Sequence, residues 1–312
     1  MHNWQFNVCP AGMPWKMKKL IGVLFTLLLS ACTSYPDVEV AENPIKDLKG
    51  LGEQTAENLT RRYNDEAVAC RPFSPATAFE CSGVILRGTS HSTQYHAWNP
   101  NPSATGVSAS FLRRDSKFTN FYIYKNGFIF YPGQHAPADK MSVTILCFFP
   151  RDGATNIRED HGCGQSPNVP TSRECQSQGI NTAERWVEHY EMFGSYADMC
   201  GFNVRDVLGE NAVIAFGEGL KAQRLVFNIA IDNYNEIRMA KWEQDVGNAL
   251  PIEAFFYFDD IGKVAAQYDQ KDFLTETSIS LPIIKIALPK TLLDQATFNF
   301  IPADQAIPIG KS

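Results

Sequence analysis

No stretch of this 312-residue chain is strongly basic, although it holds 28 lysines and arginines. That argues against nucleic acid as the main partner. No CxxC pair and no Cys/His cluster has metal-ligand spacing, so no zinc site and no other metal is expected. The apolar run Leu20–Leu29 is too short for a membrane span, which needs about 20 apolar residues. No internal repeat appears. No persuasive pair of carboxylates stands out either, and a glycosidase would need one.

What is present begins with a targeting segment. Lys18 and Lys19 precede Leu20–Leu29, and Leu29-Ser30-Ala31-Cys32 follows. This is the layout of a short bacterial signal peptide. Its last four residues resemble a lipobox, in which Cys32 is lipid-modified and becomes the mature N-terminus. The alternative is an ordinary signal peptide cut near Ala31. Met17 makes a better start than Met1. The expected organisation is therefore a signal peptide over 1–31, a lipid anchor and polar tether over 32–52, and a single domain over 53–312. The expected location is exported, as an outer-membrane or cell-surface lipoprotein or released outside the cell.

Residues 1–31 carry three of the basic residues and none of the 34 acidic ones, so the chain from Cys32 on has a net charge of −9. Beyond Cys32 come Cys70, Cys81, Cys147, Cys163, Cys175 and Cys200. An even number in an exported chain predicts disulfides. Pairing of neighbours, Cys70–Cys81, Cys147–Cys163 and Cys175–Cys200, would close three short loops. The 21 Phe and 11 Tyr suit an aromatic core built on β-structure.

The chain is organised around Cys81–Ser110. Val84-Ile85-Leu86-Arg87 has strand propensity, and Gly88-Thr89 should break it. If Val84 and Leu86 face the core, Ile85 and Arg87 share the other face. Gly106–Phe111 is a second, small-residue strand, with Ser108 and Ser110 on one side. An arginine ending one strand and a Ser-x-Ser on the next suit a phosphate-bearing ligand, because the guanidinium forks onto phosphate and the hydroxyls give short hydrogen bonds. Otherwise such an arginine is solvated or paired with a surface carboxylate. Between the strands, the loop His91–Ser103 holds Tyr95, His96, Trp98 and Asn99, aromatics that either stack on a flat ring or pin the loop to the core.

Further along, helices are expected over Glu53–Tyr63, Thr182–Phe193, Val204–Val226, Asn235–Ala249 and Val264–Leu274. Phe121–Tyr131 predicts a hairpin turning at Asn126-Gly127. Met141–Phe149, Ile252–Phe258 and Leu281–Leu288 predict strands, and Arg151–Ser177 a braced loop. Two carboxylates stand out. Glu253 opens an otherwise apolar strand. Glu236 lies at a helix start, where a carboxylate is expected simply because it favours the helix dipole.

Several fragments, CSGVILRGTS, YHAWNPNP, GVSASFLRRDSKF, NGFIFYP, LCFFPRDGATN, CGFNVRDVL, NEIRMAKW and LPIEAFFYF, together resemble the halovibrin family of secreted bacterial proteins. The resemblance spans roughly Arg61 to Pro289. It implies an ADP-ribosyltransferase or NAD glycohydrolase, with NAD as substrate and no metal. It also implies an α+β fold, with a mixed, mostly antiparallel β core, flanking helices and disulfide bracing, like that of the cholera-toxin-type ADP-ribosyltransferases. Those enzymes share an Arg, Ser-x-Ser, Glu signature. Arg87 matches the arginine. Ser108 and Ser110 match the two serines, with Ala109 between them. Glu253 best matches the glutamate, and Glu236 competes with it.

Arginine-modifying transferases keep a second acid two residues before the catalytic glutamate. Here that position is Pro251 or Tyr234. NAD hydrolysis, or transfer to a non-arginine acceptor protein, is the expectation that remains. In that chemistry the glutamate stabilises an oxocarbenium-like ribose and Arg87 holds the pyrophosphate. Ser108 positions the ribose, and Ser110 braces the strand. The competing expectation is a non-enzymatic surface lipoprotein, an adhesin or binding module. A monomer is expected in either case.

Overall fold

The computed structural model describes residues 47–64, 82–89, 106–121, 123–131, 145–152, 174–193, 199–204, 210–227, 234–240, 252–291, 293–307 and 309. The signal segment, Cys32, Cys70, Cys81, Cys163 and the aromatic loop His91–Ser103 lie outside the described residues.

The chain is α+β, as expected. Among the described residues nine strands form one sheet: β1 Val84–Thr89, β2 Gly106–Leu112, β3 Asn126–Phe130, β4 Ile145–Phe149, β5 Phe202–Asn203, β6 Glu236–Ala240, β7 Ile252–Tyr257, β8 Ile283–Ala287 and β9 Thr297–Phe300. Their order is β5-β4-β6-β2-β1-β3-β7-β8-β9. Every pairing is antiparallel except β7 with β8. Parallel neighbours need a crossover, and helix Asp260–Thr277 provides it. In chain order the long helices are α1 Leu48–Tyr63, α2 Ala183–Phe193, α3 Glu210–Phe227 and α4 Asp260–Thr277.

Both faces of the sheet are covered. Ile85, Phe111, Phe128, Phe148, Ile237, Met239 and Phe255 pack with Trp186 of α2, Phe216 and Leu220 of α3 and Phe273 of α4. Val84, Leu86, Leu112, Ile129, Phe256 and Ile284 pack on the opposite side with Ala56, Leu59 and Tyr63 of α1. Ile85 is therefore as deeply buried as its neighbours Val84 and Leu86, and the alternation in β1 separates two cores instead of a core from solvent.

Several expected elements are displaced. Helix α1 starts at Leu48, inside the expected tether, with Asp47 accepting from Gly50 N at 2.9 Å as its cap. Strand β1 runs on through Gly88 and Thr89. Gly88 is needed there because a Cβ would lie 2.3 Å from the ring of Tyr124. Asn126-Gly127 is not a turn but the start of β3. A Cβ on Gly127 would sit 1.9 Å from the Arg87 carbonyl oxygen, so glycine allows the close approach of β1. The expected helix Asn235–Ala249 begins instead as strand β6. Asn235 does not cap a helix; its side chain accepts from Phe111 N and donates to Phe111 O, both at 2.7 Å, pinning β6 beside β2.

Cys175–Cys200 forms a disulfide, as expected. Trp186 Nε1 donates to Cys200 O at 3.0 Å, which ties α2 to the bridge. Among the described residues no helix is long and apolar enough to cross a membrane.

Candidate active site

Strands β6, β2 and β1 are neighbours near the middle of the sheet. Ser108 on β2 stands directly across from Arg238 on β6. Side chains alternate along a strand, so Glu236 and Arg238 share one face, and Ser108 and Ser110 share it with them. It is the α1 side, because Leu86 and Leu112 lie on it.

On this face the Ser108 hydroxyl donates to Glu236 Oε1 at 2.5 Å, and Arg238 Nη1 donates to Ser108 Oγ at 2.7 Å. Arg87 belongs to the other face: it pairs with Phe128 and alternates with Leu86, on the α2 and α3 side, and its Nη1 meets this row only at the Ser108 backbone carbonyl oxygen, at 2.8 Å. Glu236 is 2% exposed and Arg238 5%. Burial pushes the Arg87 guanidinium down to about 10; Tyr124 and Glu236 oppose that shift, and Arg238 adds to it. Arg87 stays charged at neutral pH. Its Nε is buried with no hydrogen-bond partner among the described residues. An unsatisfied buried donor is costly, and the Nε atoms of Arg62 and Arg238 share this state.

Three of the expected site residues, Arg87, Ser108 and Glu236, are thus brought together. Ser110 lies two residues along β2 and is buried. Glu253 is elsewhere. Its Oε2 accepts from Arg62 Nη2 of α1 at 2.6 Å, and both side chains are almost wholly buried. The reason is a bulge. Ile129 of β3 faces Ala254, but Phe130 faces Ile252, so Glu253 is the extra residue. Strict alternation would place Glu253 with Phe255, away from α1; the bulge lets it reach Arg62. Burial raises its carboxyl above the ordinary value, with Arg62 opposing.

Arg238 was not singled out from the sequence. The signal that could have found it is the alternation Glu236-Ile237-Arg238-Met239, with apolar residues in every second place. Tyr234, two residues before Glu236, donates to Asp152 Oδ2 at 2.7 Å. Burial and that carboxylate push its phenol far up, so it stays neutral.

A second buried polar cluster lies where β1 ends. Asn126 Nδ2 donates to Thr89 Oγ1 and to Asp269 Oδ2 of α4, both at 2.9 Å. Burial drives Asp269 up to about 7; Asn126 opposes and Asp272 adds to the shift. The folded state therefore holds this proton more tightly than the unfolded chain, and stability falls as pH rises from the ordinary value of 3.8 to about 7. Asp269→Asn keeps an acceptor for Asn126 and removes the charge. It is expected to stabilise the protein by on the order of 2–4 kcal/mol at about pH 8 and to flatten this dependence, measured by urea unfolding across pH.

The fold and this cluster define a class: an α+β protein in which Arg87, Ser108 and Glu236 stand on three neighbouring central strands and meet at Ser108. No protein-family model matches the chain, and no curated protein matches it. Among the described residues no three His, Cys, Asp or Glu side chains gather to hold a metal ion.

Proposed function

We propose that this chain is an exported enzyme that cleaves the nicotinamide–ribose bond of NAD, by hydrolysis or by transfer to a non-arginine acceptor. The observation that carries the reading is the convergence of Arg87, Ser108 and Glu236 on β1, β2 and β6. Three residue types expected for this chemistry, far apart in sequence, meet at Ser108: Glu236 at its hydroxyl and Arg87 at its backbone carbonyl.

In the proposed reaction the C1′–N bond breaks and its electron pair leaves with nicotinamide. The positive charge on the pyridinium is thereby transferred to the ribose as an oxocarbenium-like centre. Glu236 stabilises that charge and holds a ribose hydroxyl. Arg87 binds the pyrophosphate, and Ser108 holds Glu236 in place. Water adds to C1′ and loses a proton. Glu236 takes the catalytic place ahead of Glu253, whose carboxylate is occupied by Arg62. Tyr234, a neutral phenol bound to Asp152, favours hydrolysis over arginine modification, since it cannot orient an acceptor guanidinium as an acid would. The disulfide suits an oxidising compartment, and a lipid on Cys32 would supply the membrane anchor.

The test is release of nicotinamide from NAD by the chain from Cys32 onward, with its disulfides oxidised. Arg87→Lys keeps the charge but loses the planar fork. It is expected to raise KM for NAD about tenfold, the equivalent of one charged hydrogen bond. No release by the folded wild type, with or without acceptor protein, would sink the reading. One observation favours the second reading, a partner-binding surface lipoprotein: α4 exposes an apolar stripe of Ile261, Val264 and Tyr268.

A further inference from the structure

We propose that Arg238 is a positioning residue, one that acts on Glu236 through the hydroxyl of Ser108. The inference rests on the NAD-cleaving reading of this site and adds to it a residue outside the Arg, Ser-x-Ser, Glu set.

Hydrogen-bond direction fixes the order in which the three side chains act. A guanidinium has donors only, and a serine hydroxyl has one hydrogen and two lone pairs. Arg238 Nη1 gives its hydrogen to Ser108 Oγ at 2.7 Å. The hydroxyl hydrogen of Ser108 must then point elsewhere, and Glu236 Oε1 lies 2.5 Å away to receive it. The chain Arg238→Ser108→Glu236 runs one way, and it casts Oε1 as an acceptor. Charge-assisted bonds are the short, strong ones, and this chain has a charge at each end.

The strand geometry supports the same order of action. Arg238 stands opposite Ser108 in the ladder, and Glu236 sits two residues along the same strand. The three side chains therefore form a row on one face, with the serine between the charges. All three backbones are held by central strands, so the row is preorganised. Without Arg238 the Ser108 oxygen loses the donor that directs its hydrogen, and the bond from Ser108 to Glu236 Oε1 loses its fixed direction. A carboxylate that stabilises a developing charge depends on that orientation, since small misplacements near the reacting atoms cost rate. A phosphate-binding arginine would act differently: its loss would weaken substrate binding.

The experiment is a double-mutant cycle on NAD cleavage with the oxidised, full exported chain: wild type, Arg238→Gln, Ser108→Ala and the double variant, with Arg238→Lys alongside. Thermal melting checks that each variant is folded. The expected result is a fall in kcat of roughly 10- to 100-fold for Arg238→Gln, with KM changed by less than about threefold. Arg238→Lys should recover part of the loss. In the Ser108→Ala background Arg238→Gln should cost almost nothing further, because the relay is already cut. Additive losses, or a rise in KM with kcat unchanged, would overturn the role of Arg238 and leave the enzyme reading standing. An inactive but folded wild type would overturn the enzyme reading itself, and the role with it. If Arg238→Gln does not fold, the comparison of Arg238→Lys with and without Ser108→Ala decides by the same criterion.

Discussion

Glu236→Gln is expected to lower nicotinamide release by about 10²–10³-fold, the usual cost of removing a preorganised charge from a transition state. Glu253→Gln is expected to leave the rate within a few-fold. The contrast follows from where the two carboxylates go. Glu236 shares a hydroxyl with Arg238, on Ser108, whose backbone carbonyl accepts from Arg87. Glu253 is turned by a bulge toward α1 and is bound by Arg62. Measuring kcat for both variants under identical oxidised conditions checks this. The reverse pattern would move the site to Glu253 and break the link with Ser108.

The second large effect is on stability. Arg62→Leu is expected to cost about 3–5 kcal/mol at neutral pH, because it strands an ionised Glu253 in the interior. The pair joins α1 to β7, so the loss should appear as early release of α1 in urea. The pH dependence has a definite sign. Burial already raises Glu253, and Arg62 is what holds it down. Without Arg62 the folded state takes up a proton more readily than the unfolded chain. The penalty should therefore shrink as pH falls toward the carboxylate range and grow as pH rises. Adding Glu253→Leu to Arg62→Leu should return most of the stability, since a buried ion pair is often replaceable by apolar side chains. A penalty that persists in the double variant would mean that packing of the Arg62 stem, not the charge, is what α1 requires.

These two glutamates also show how far the sequence could be read. Strands β1, β2, β7 and β8 and helix α2 are visible locally, in runs of apolar or alternating residues. Arg87, Ser108 and Ser110 fall on the strands expected for them. Glu253 stands out in an apolar strand, but that prominence has a structural cause. Its partner Arg62 is 191 residues away, and no local pattern announces a bulge. Glu236 is less conspicuous, because Asn235 resembles a helix cap and a carboxylate at a helix start is expected from the dipole alone. The asparagine instead brackets both backbone groups of Phe111, a long-range role that propensity does not encode. Asn126-Gly127 misled for a similar reason. A pair that suits a hairpin turn is used inside a strand, where the glycine makes room for the Arg87 carbonyl and the asparagine reaches α4.

The strand order has a consequence for how the molecule comes to exist. Strand β6 lies between β2 and β4, both of which precede it in the chain. A chain emerging from its N-terminus delivers Arg87 and Ser108 well before Glu236, which follows Ser108 by 128 residues. Until β6 inserts, β2 and β4 each present an unpaired edge, and exposed edges invite pairing with other chains. Contacts at such separations form slowly. The arrival of one five-residue strand thus joins the β4 and β2 edges and brings Glu236 to Ser108 at the same moment, so that a chain stalled short of it keeps two adhesive edges.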